Sequence, residues 1–192
     1  MRVLFVRHGE SQDDLENRYG GWGDFPLTQK GHKQIEGKVE SIKNLKKDFK
    51  VIFSSPLSRA LTSAKILSEN LNIPVEVLEY IKERNTYGVL TGMEKNEAKS
   101  KYPEQVENYE NEKYVDGSER KEDIDQRVKK ALDIIQNKGF GNVIAVTHGV
   151  FLKHLFTLYG KKITKKEDGG WILVEFNDNK LEVISSNGIE VE

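Results

Sequence analysis

Three short runs of apolar and β-branched residues stand out along the chain. They are RVLFV at residues 2–6, KVIFSS at 50–55 and NVIAVTH at 142–148. Each run is continuous rather than alternating, which is typical of strands buried on both faces of a parallel sheet. We therefore expect these runs to form strands of one buried sheet.

The intervals between the runs carry helical periodicity. Residues 28–45 and 58–71 have apolar side chains at three- and four-residue spacing, the pattern of a helix with one buried face. A further amphipathic stretch at about 124–135 precedes NKGFGN, whose glycines suit a helix end and a turn. The pattern predicts helices between the strands.

The last part of the chain is predicted to be a β-hairpin. The apolar segment WILVEF at residues 171–176 is followed by NDNK and then by LEVIS. Together with the alternating strands and helices, this order predicts an α/β fold, a three-layer sandwich with a mostly parallel central sheet flanked by helices.

Length and composition predict one domain over residues 1–192. The 36% hydrophobic content suits one sizeable core. Residues of about 92–122 are rich in Glu and Lys and show only isolated helical turns. We expect this segment to be an insert that serves as a lid or a specificity element.

The charge balance argues against bulk attraction to nucleic acid or to a membrane surface. The chain has 30 basic and 31 acidic side chains, a formal net charge of −1. It has no cysteine, which excludes disulfides and thiolate metal sites. Neither a signal-peptide pattern nor a run long enough to span a bilayer is present, so a cytoplasmic location is expected.

Polar residues follow three of the predicted strands. The first strand ends in Arg7 and His8, the second leads through SSPLS to Arg59, and the third ends at His148. Because ligands of open α/β sheets bind beyond the carboxyl ends of the strands, these side chains are expected to converge there.

The chemistry that suits this group is phosphoryl transfer. Arginine forks match phosphate oxygens, and a neutral imidazole nitrogen can attack phosphorus and form a phosphohistidine. The glycine after each histidine would let the backbone approach a phosphate. Such a reaction also needs a carboxyl group that protonates the leaving oxygen.

Four segments carry a family resemblance. FVRHGES, SSPLSRALTSA, KERNTYGVLTG and VTHG occur in this order between residues 2 and about 155. The chain thereby resembles the histidine phosphatase superfamily, which includes cofactor-dependent phosphoglycerate mutases, fructose-2,6-bisphosphatases and broad phosphomonoesterases. The resemblance implies a phosphoglycerate mutase-like fold.

The resemblance also implies roles for individual residues. His8 would accept the phosphoryl group, and Arg7 and Arg59 would hold its oxygens. His148 would donate a further hydrogen bond to them and is counted with the catalytic residues. Glu83, in KERNTYG, would be the general acid.

Two departures from the family pattern concern the site. Family members commonly have the acidic glutamate four residues before a glycine, whereas Glu83 precedes Gly88 by five, so a bulge is needed or Glu83 is displaced. Asp14 stands where mutase-like sequences have Asn, and a carboxylate facing a phosphate is unfavourable unless it is protonated, paired or turned away. The residues expected to contact substrate are Ser11, Asp14, Gly21, Arg84, Tyr87 and Lys95.

The two remaining histidines are assigned no role in the site. His32 is expected on the surface, and His154 is expected in core or surface packing. Six residues separate His154 from His148, a poor helical spacing for shared metal ligation. We predict no metal.

The sequence favours a phosphatase that hydrolyses a small phosphorylated metabolite and needs no cofactor. Arg84, Tyr87 and Lys95 also resemble mutase segments, so a phosphoglycerate mutase primed by 2,3-bisphosphoglycerate is the alternative. Against the mutase, the insert lacks the adjacent arginine pair that mutases use there, and it is rich in carboxylates. A non-catalytic protein that binds a phosphorylated ligand is a second alternative, and a phosphoprotein substrate and a homodimer also stay open.

Overall fold

The computed structural model describes residues 1–177 and 180–192. In these residues six strands form one mixed sheet. The strands are β1 Arg2–Arg7, β2 Ile52–Ser54, β3 Val75–Val77, β4 Asn142–Thr147, β5 Ile163–Asn177 and β6 Lys180–Val191. Their order across the sheet is β3-β2-β4-β1-β5-β6, with β3, β2, β4 and β1 parallel and the last two strands antiparallel to their neighbours.

Eight α-helices lie in the described residues, with 3-10 turns at Glu79–Ile81 and Gly88–Leu90. The helices are α1 Gln12–Leu15, α2 Gln29–Glu36, α3 Val39–Lys43, α4 Ser58–Leu71, α5 Lys95–Lys101, α6 Pro103–Glu110, α7 Lys121–Asn137 and α8 Gly149–Leu158. None of them is long and apolar enough to cross a membrane.

The central strands are buried because both sides of the sheet are covered. On one face Phe5 and Ala145 pack in a core with apolar residues of α7 and α8. On the other face Leu4 and Ile144 pack against residues of α2, α3 and α4. Because alternate side chains of a strand point to opposite faces, a continuous apolar run contributes to both cores. The predicted three-layer α/β sandwich is thus confirmed.

The predicted helix at residues 28–45 is in fact two helices. Thr28 caps α2, since its hydroxyl accepts a hydrogen bond from the Gly31 N–H. The helix ends at Gly37, and α3 begins at Val39. Glycine is among the poorest helix formers, and the three- and four-residue spacing does not register such a break.

The β-hairpin at the end of the chain is longer than predicted. The expected strand at 171–176 is the second half of β5, which begins at Ile163 and pairs with β6 as a hairpin. The predicted NDNK turn includes residues 178–179, which lie outside the described residues. The short strand β3, half exposed, was not expected.

The segment expected as an insert at 92–122 contains two helices, α5 and α6, rather than isolated turns. It packs on the remainder through a small core to which both contribute. That core consists of Tyr19, Leu90, Ala98, Val106 and Val115. This packing places the segment beside the carboxyl edge of the sheet.

Candidate active site

His8 follows β1 and is buried, with 5% of its surface exposed. Its Nδ1 lies 2.7 Å from the carbonyl oxygen of Gly9, which only accepts hydrogen bonds, so the ring proton is on Nδ1. Nε2 accepts a hydrogen bond from Arg59 Nε at 3.3 Å. Burial, followed by the charges of Arg59 and Arg7, holds the pKa of His8 well below its usual value. Nε2 therefore carries an unprotonated lone pair.

The two arginines are fixed by protein oxygens. Arg59, in the first turn of α4, donates to the carbonyls of Gly23 and Gly21 at 2.7 and 2.8 Å. Arg7, the last residue of β1, donates to the Lys166 carbonyl at 2.7 Å and pairs with Asp168 at 2.8 Å. Both guanidinium groups are thus oriented before any ligand arrives.

His148 follows β4, the neighbour of β1, and the register pairs Arg7 with Thr147. The His148 ring centroid therefore lies only 4.9 Å from that of His8. Its Nε2 is 2.7 Å from the Ser55 hydroxyl, which accepts from the Leu57 N–H and so has its own proton to donate. This favours a proton on His148 Nδ1, a buried atom without a partner in the described residues.

The pKa of His148 is also held well below its usual value. Burial is the largest cause, and the positive charge of Arg59 acts in the same direction. His148 is therefore neutral at pH 7, as His8 is.

Glu83 is placed at the start of α8. Its carboxylate accepts from the N–H groups of Phe151 at 3.0 Å and Val150 at 3.2 Å. The first N–H groups of a helix have no acceptor within the helix, which explains this position. A tight turn, in which Thr86 N–H donates to the Arg84 carbonyl at 2.8 Å, takes up the additional residue before Gly88. Despite the additional residue before Gly88, Glu83 therefore lies at the cavity on this edge of the sheet.

The backbone of Glu83 is held by Arg127 of α7, which sequence reasoning missed. Arg127 donates to the carbonyls of Tyr80, Lys82 and Glu83 at 3.0, 2.6 and 3.1 Å. It also forms a two-pronged ion pair with Glu119, with both contacts at 2.8 Å. No local sequence pattern distinguishes an arginine with this role from the other charged residues of an amphipathic helix.

A cavity of about 460 Å3 opens at this edge of the sheet. Most of the residues predicted for the site line it. They are Arg7, His8, Asp14, Gly21, Arg59, Glu83, Arg84, Tyr87 and Lys95. His148 is fully buried beside His8, with ring centroids 4.9 Å apart, and is not part of the lining.

Ser11 was expected to contact substrate, and the structure places it elsewhere. It is fully buried and is the N-cap of α1. Its hydroxyl donates to Asp13 at 2.6 Å, and its N–H donates to Asp14 at 3.2 Å. Asp14 is thereby occupied as a partner of Ser11, although it also lines the cavity.

Other lining residues were missed by sequence reasoning. Tyr19 and Tyr109 pack with Tyr87 in tilted and edge-to-face arrangements, with ring centroids 5.0 to 5.5 Å apart, and form one wall. Burial raises the pKa of Tyr87, so its hydroxyl stays protonated. Lys166 comes from β5. These residues are brought to the cavity by tertiary packing, which no short motif encodes.

The glycines after the histidines have a different explanation from the expected one. A Cβ on Gly9 would lie 2.3 Å from the Gly31 carbonyl oxygen, so Gly9 allows the close approach of α2. A Cβ on Gly149 would lie 3.0 Å from Lys166 Nζ. The space beside both glycines is therefore filled by protein.

The other two histidines lie outside the cavity lining. His32 is exposed, and His154 Nδ1 lies 2.6 Å from Asp125. Within residues 1–177 and 180–192, no group of three or more His, Cys, Asp or Glu side chains is arranged to hold a metal ion.

Comparison with known proteins identifies the family. The family model described as histidine phosphatase superfamily (branch 1) matches residues 3–185. The uncharacterized phosphatase PhoE of Bacillus subtilis is 32% identical over 157 residues, covering 81% of this chain and 75% of that protein. YhfR of Bacillus stearothermophilus has the same fold, with a TM-score of 0.82 at 24% identity over 95% of this chain and 94% of that one.

A mutase is also among the similar proteins. The 2,3-bisphosphoglycerate-dependent phosphoglycerate mutase 2 of Gloeobacter violaceus is 40% identical over 107 residues. The match covers 54% of this chain and 48% of that protein, about half of each.

Proposed function

Because the chain belongs to the histidine phosphatase superfamily, we propose that it is a phosphomonoesterase that acts through a phosphohistidine on His8. The substrate class is a small phosphorylated metabolite. The observation that carries the proposal is the unprotonated Nε2 of His8 in a cavity that Arg7, Arg59 and Glu83 also line. A nucleophile, two phosphate-binding cations and a carboxyl group are the parts that phosphoryl transfer through nitrogen requires.

In the first step, His8 Nε2 attacks phosphorus. A P–N bond forms while the ester P–O bond breaks, and the protonated Glu83 carboxyl group gives its proton to the leaving oxygen. In the second step, Glu83 takes a proton from water, whose oxygen attacks phosphorus. The P–N bond then breaks, and its electron pair returns to His8.

The charge that develops on the phosphoryl oxygens is met by oriented donors. Arg7 and Arg59 are already fixed by carbonyls and by Asp168, so little reorganisation accompanies the reaction. His148 Nδ1, which has no partner in the described residues, is the third donor in this proposal.

The carboxylates in the cavity favour hydrolysis over the mutase reaction, in which the phosphoryl group returns to the substrate. A mutase must retain a bisphosphorylated intermediate, which carries several negative charges. Asp13, Asp14 and Glu110 line this cavity together with six basic side chains, and these carboxylates weaken its attraction for such an intermediate. Arg84 also uses two of its N–H groups on the Glu119 carbonyl, at 3.1 and 3.2 Å.

Phosphoglycerate mutase activity is the second candidate. Arg84, Tyr87 and Lys95, which resemble mutase substrate contacts, line the cavity together. The 40% identity to a mutase over 107 residues supports the same alternative.

The test is release of inorganic phosphate from p-nitrophenyl phosphate, 3-phosphoglycerate and a set of sugar phosphates, with a metal chelator present throughout. We expect chelator-resistant hydrolysis that is abolished in His8→Ala and retained in His32→Ala, an exposed histidine outside the cavity. Loss of activity to the chelator would contradict a metal-independent mechanism.

The remaining outcomes separate the alternatives. Conversion of 3- to 2-phosphoglycerate with the 2,3-bisphosphoglycerate primer, without phosphate release, would identify a mutase. Absence of both reactions, with phosphorylated ligands still bound, would identify a binding protein.

A further inference from the structure

Lys166 is a half-buried lysine that lines the cavity together with Arg7 and Gly149. Its neighbour Lys165 is exposed and pairs with Glu167 at 2.8 Å. In the part of the chain that the structure describes, no carboxylate lies within ion-pair distance of Lys166 Nζ. A partly desolvated ammonium group without a partner favours an anion in its vicinity.

Lys166 contacts two parts of the candidate site. Its carbonyl accepts the hydrogen bond from Arg7 at 2.7 Å, so its backbone is part of the arginine's anchor. Its side chain crosses Gly149, since a Cβ there would lie 3.0 Å from Nζ and 3.1 Å from Cδ. Gly149 follows His148 and begins α8, the helix that holds the Glu83 carboxylate. The ammonium group thus lies between Arg7 and the residues that follow His148.

Lys166 differs from the two arginines in its polar partners. Asp168 offsets the charge of Arg7 at 2.8 Å, and Arg59 donates to His8 and to two carbonyls. Lys166 has no such ion pair in the described residues, and the charges of Glu83 and Asp168 act on it only from a longer distance. Burial, followed by the charge of Arg7, lowers the pKa of Lys166, which agrees with a cation-rich environment.

We propose that Lys166 is a phosphate-binding residue, whose Nζ donates a hydrogen bond to an oxygen of the transferring phosphoryl group and of the released phosphate ion. This inference rests on the proposed function for the identity of the ligand. It adds a third cation to the two arginines, one supplied by β5 rather than by any of the four sequence segments. It also agrees with glycine after His148, because a Cβ there would crowd the lysine's Nζ at 3.0 Å.

The test is the affinity for inorganic phosphate, measured by titration calorimetry, which needs no turnover. We expect Lys166→Met to weaken phosphate binding about ten-fold or more, the usual effect of losing one hydrogen bond from a charged group. Lys166→Arg keeps the charge and should stay within about three-fold of wild type. Lys165→Met, on the exposed neighbour, should bind phosphate as the wild type does.

Several results would overturn the inference. They are wild-type affinity in Lys166→Met, equal weakening in the Met and Arg variants, or a wild-type protein that binds no phosphate. Thermal denaturation monitors folding, and Lys166→Gln replaces the Met variant if that protein does not fold. If the wild type binds phosphate and hydrolyses no ester, the proposed function fails while the lysine's role stands. If hydrolysis is normal and Lys166→Met binds phosphate fully, only the lysine's role fails.

Discussion

His8 and His148 lie side by side, buried, within reach of the positive field of Arg59 and Arg7. Burial, followed by the cations that would bind a phosphoryl group, disfavours protonation of the two rings. The arginines that would bind the anion therefore also help burial to keep the nucleophile unprotonated. The Gly9 carbonyl completes the arrangement, since it keeps the proton on Nδ1.

These two histidines predict a specific dependence of stability on pH. Their pKa values are lowered in the folded chain, whereas in the unfolded chain they are near 6.5. Below about pH 6.5 the unfolded chain therefore binds more protons, and the free energy of unfolding should fall as the pH is lowered. Each histidine contributes up to about 1.4 kcal/mol per pH unit in this range.

The measurement is chemical denaturation at several pH values between 6.5 and 5. His148→Gln should reduce the slope of the unfolding free energy against pH, and His32→Gln should leave it unchanged. A wild-type stability that stays constant over this interval would contradict buried, neutral histidines.

At the scale of elements, the candidate acid depends on parts of the chain that are distant in sequence. The start of α8 holds the Glu83 carboxylate, and Arg127 of α7 holds its backbone. Thr147, at the end of β4, donates to the Ile81 carbonyl at 2.6 Å and fixes the preceding turn. Glu83 is thus positioned at the cavity by three elements.

Arg127 is therefore expected to act as a positioning residue. Lys in its place keeps the charge that faces Glu119 but loses the planar fork that holds three carbonyls. We expect Arg127→Lys to lower kcat about ten- to a hundred-fold, because small displacements of a catalytic group are costly. Phosphate affinity should change less than about two-fold, since Arg127 is not part of the cavity lining.

Steady-state kinetics with p-nitrophenyl phosphate separates this role from a structural one. Lys129→Met, an exposed residue of the same helix, is the matched control. An Arg127→Lys protein with a lower melting temperature but an unchanged kcat would show that the residue only stabilises the fold.

The sequence pattern predicted elements well where one physical preference dominated. The runs at 2–6 and 142–148 became β1 and β4 because both faces of these strands are buried. The three-residue strand β3 was missed, since a short, half-exposed strand carries almost no periodicity. The break near Gly37 was missed because apolar spacing continues across it.

For the whole molecule, the predicted family and fold class are confirmed. The segments that follow β1, β2 and β4 could be found in the sequence, because parallel strands bring their carboxyl ends to one edge. Lys166 and Arg127 could not, since their contacts depend on how β5 and α7 pack. The catalytic roles of His8, Glu83 and His148 stay predictions.

Trapping of the phosphoenzyme shows directly whether His8 carries the phosphoryl group. The protein is mixed with a substrate labelled in its phosphoryl group, quenched with alkali within milliseconds, digested and analysed by mass spectrometry. A P–N bond survives alkali and is hydrolysed by acid. We predict label on the peptide that contains His8, lost after acid treatment, absent from His8→Ala and present in His32→Ala. Turnover without label on His8, or label that persists in His8→Ala, would contradict the account.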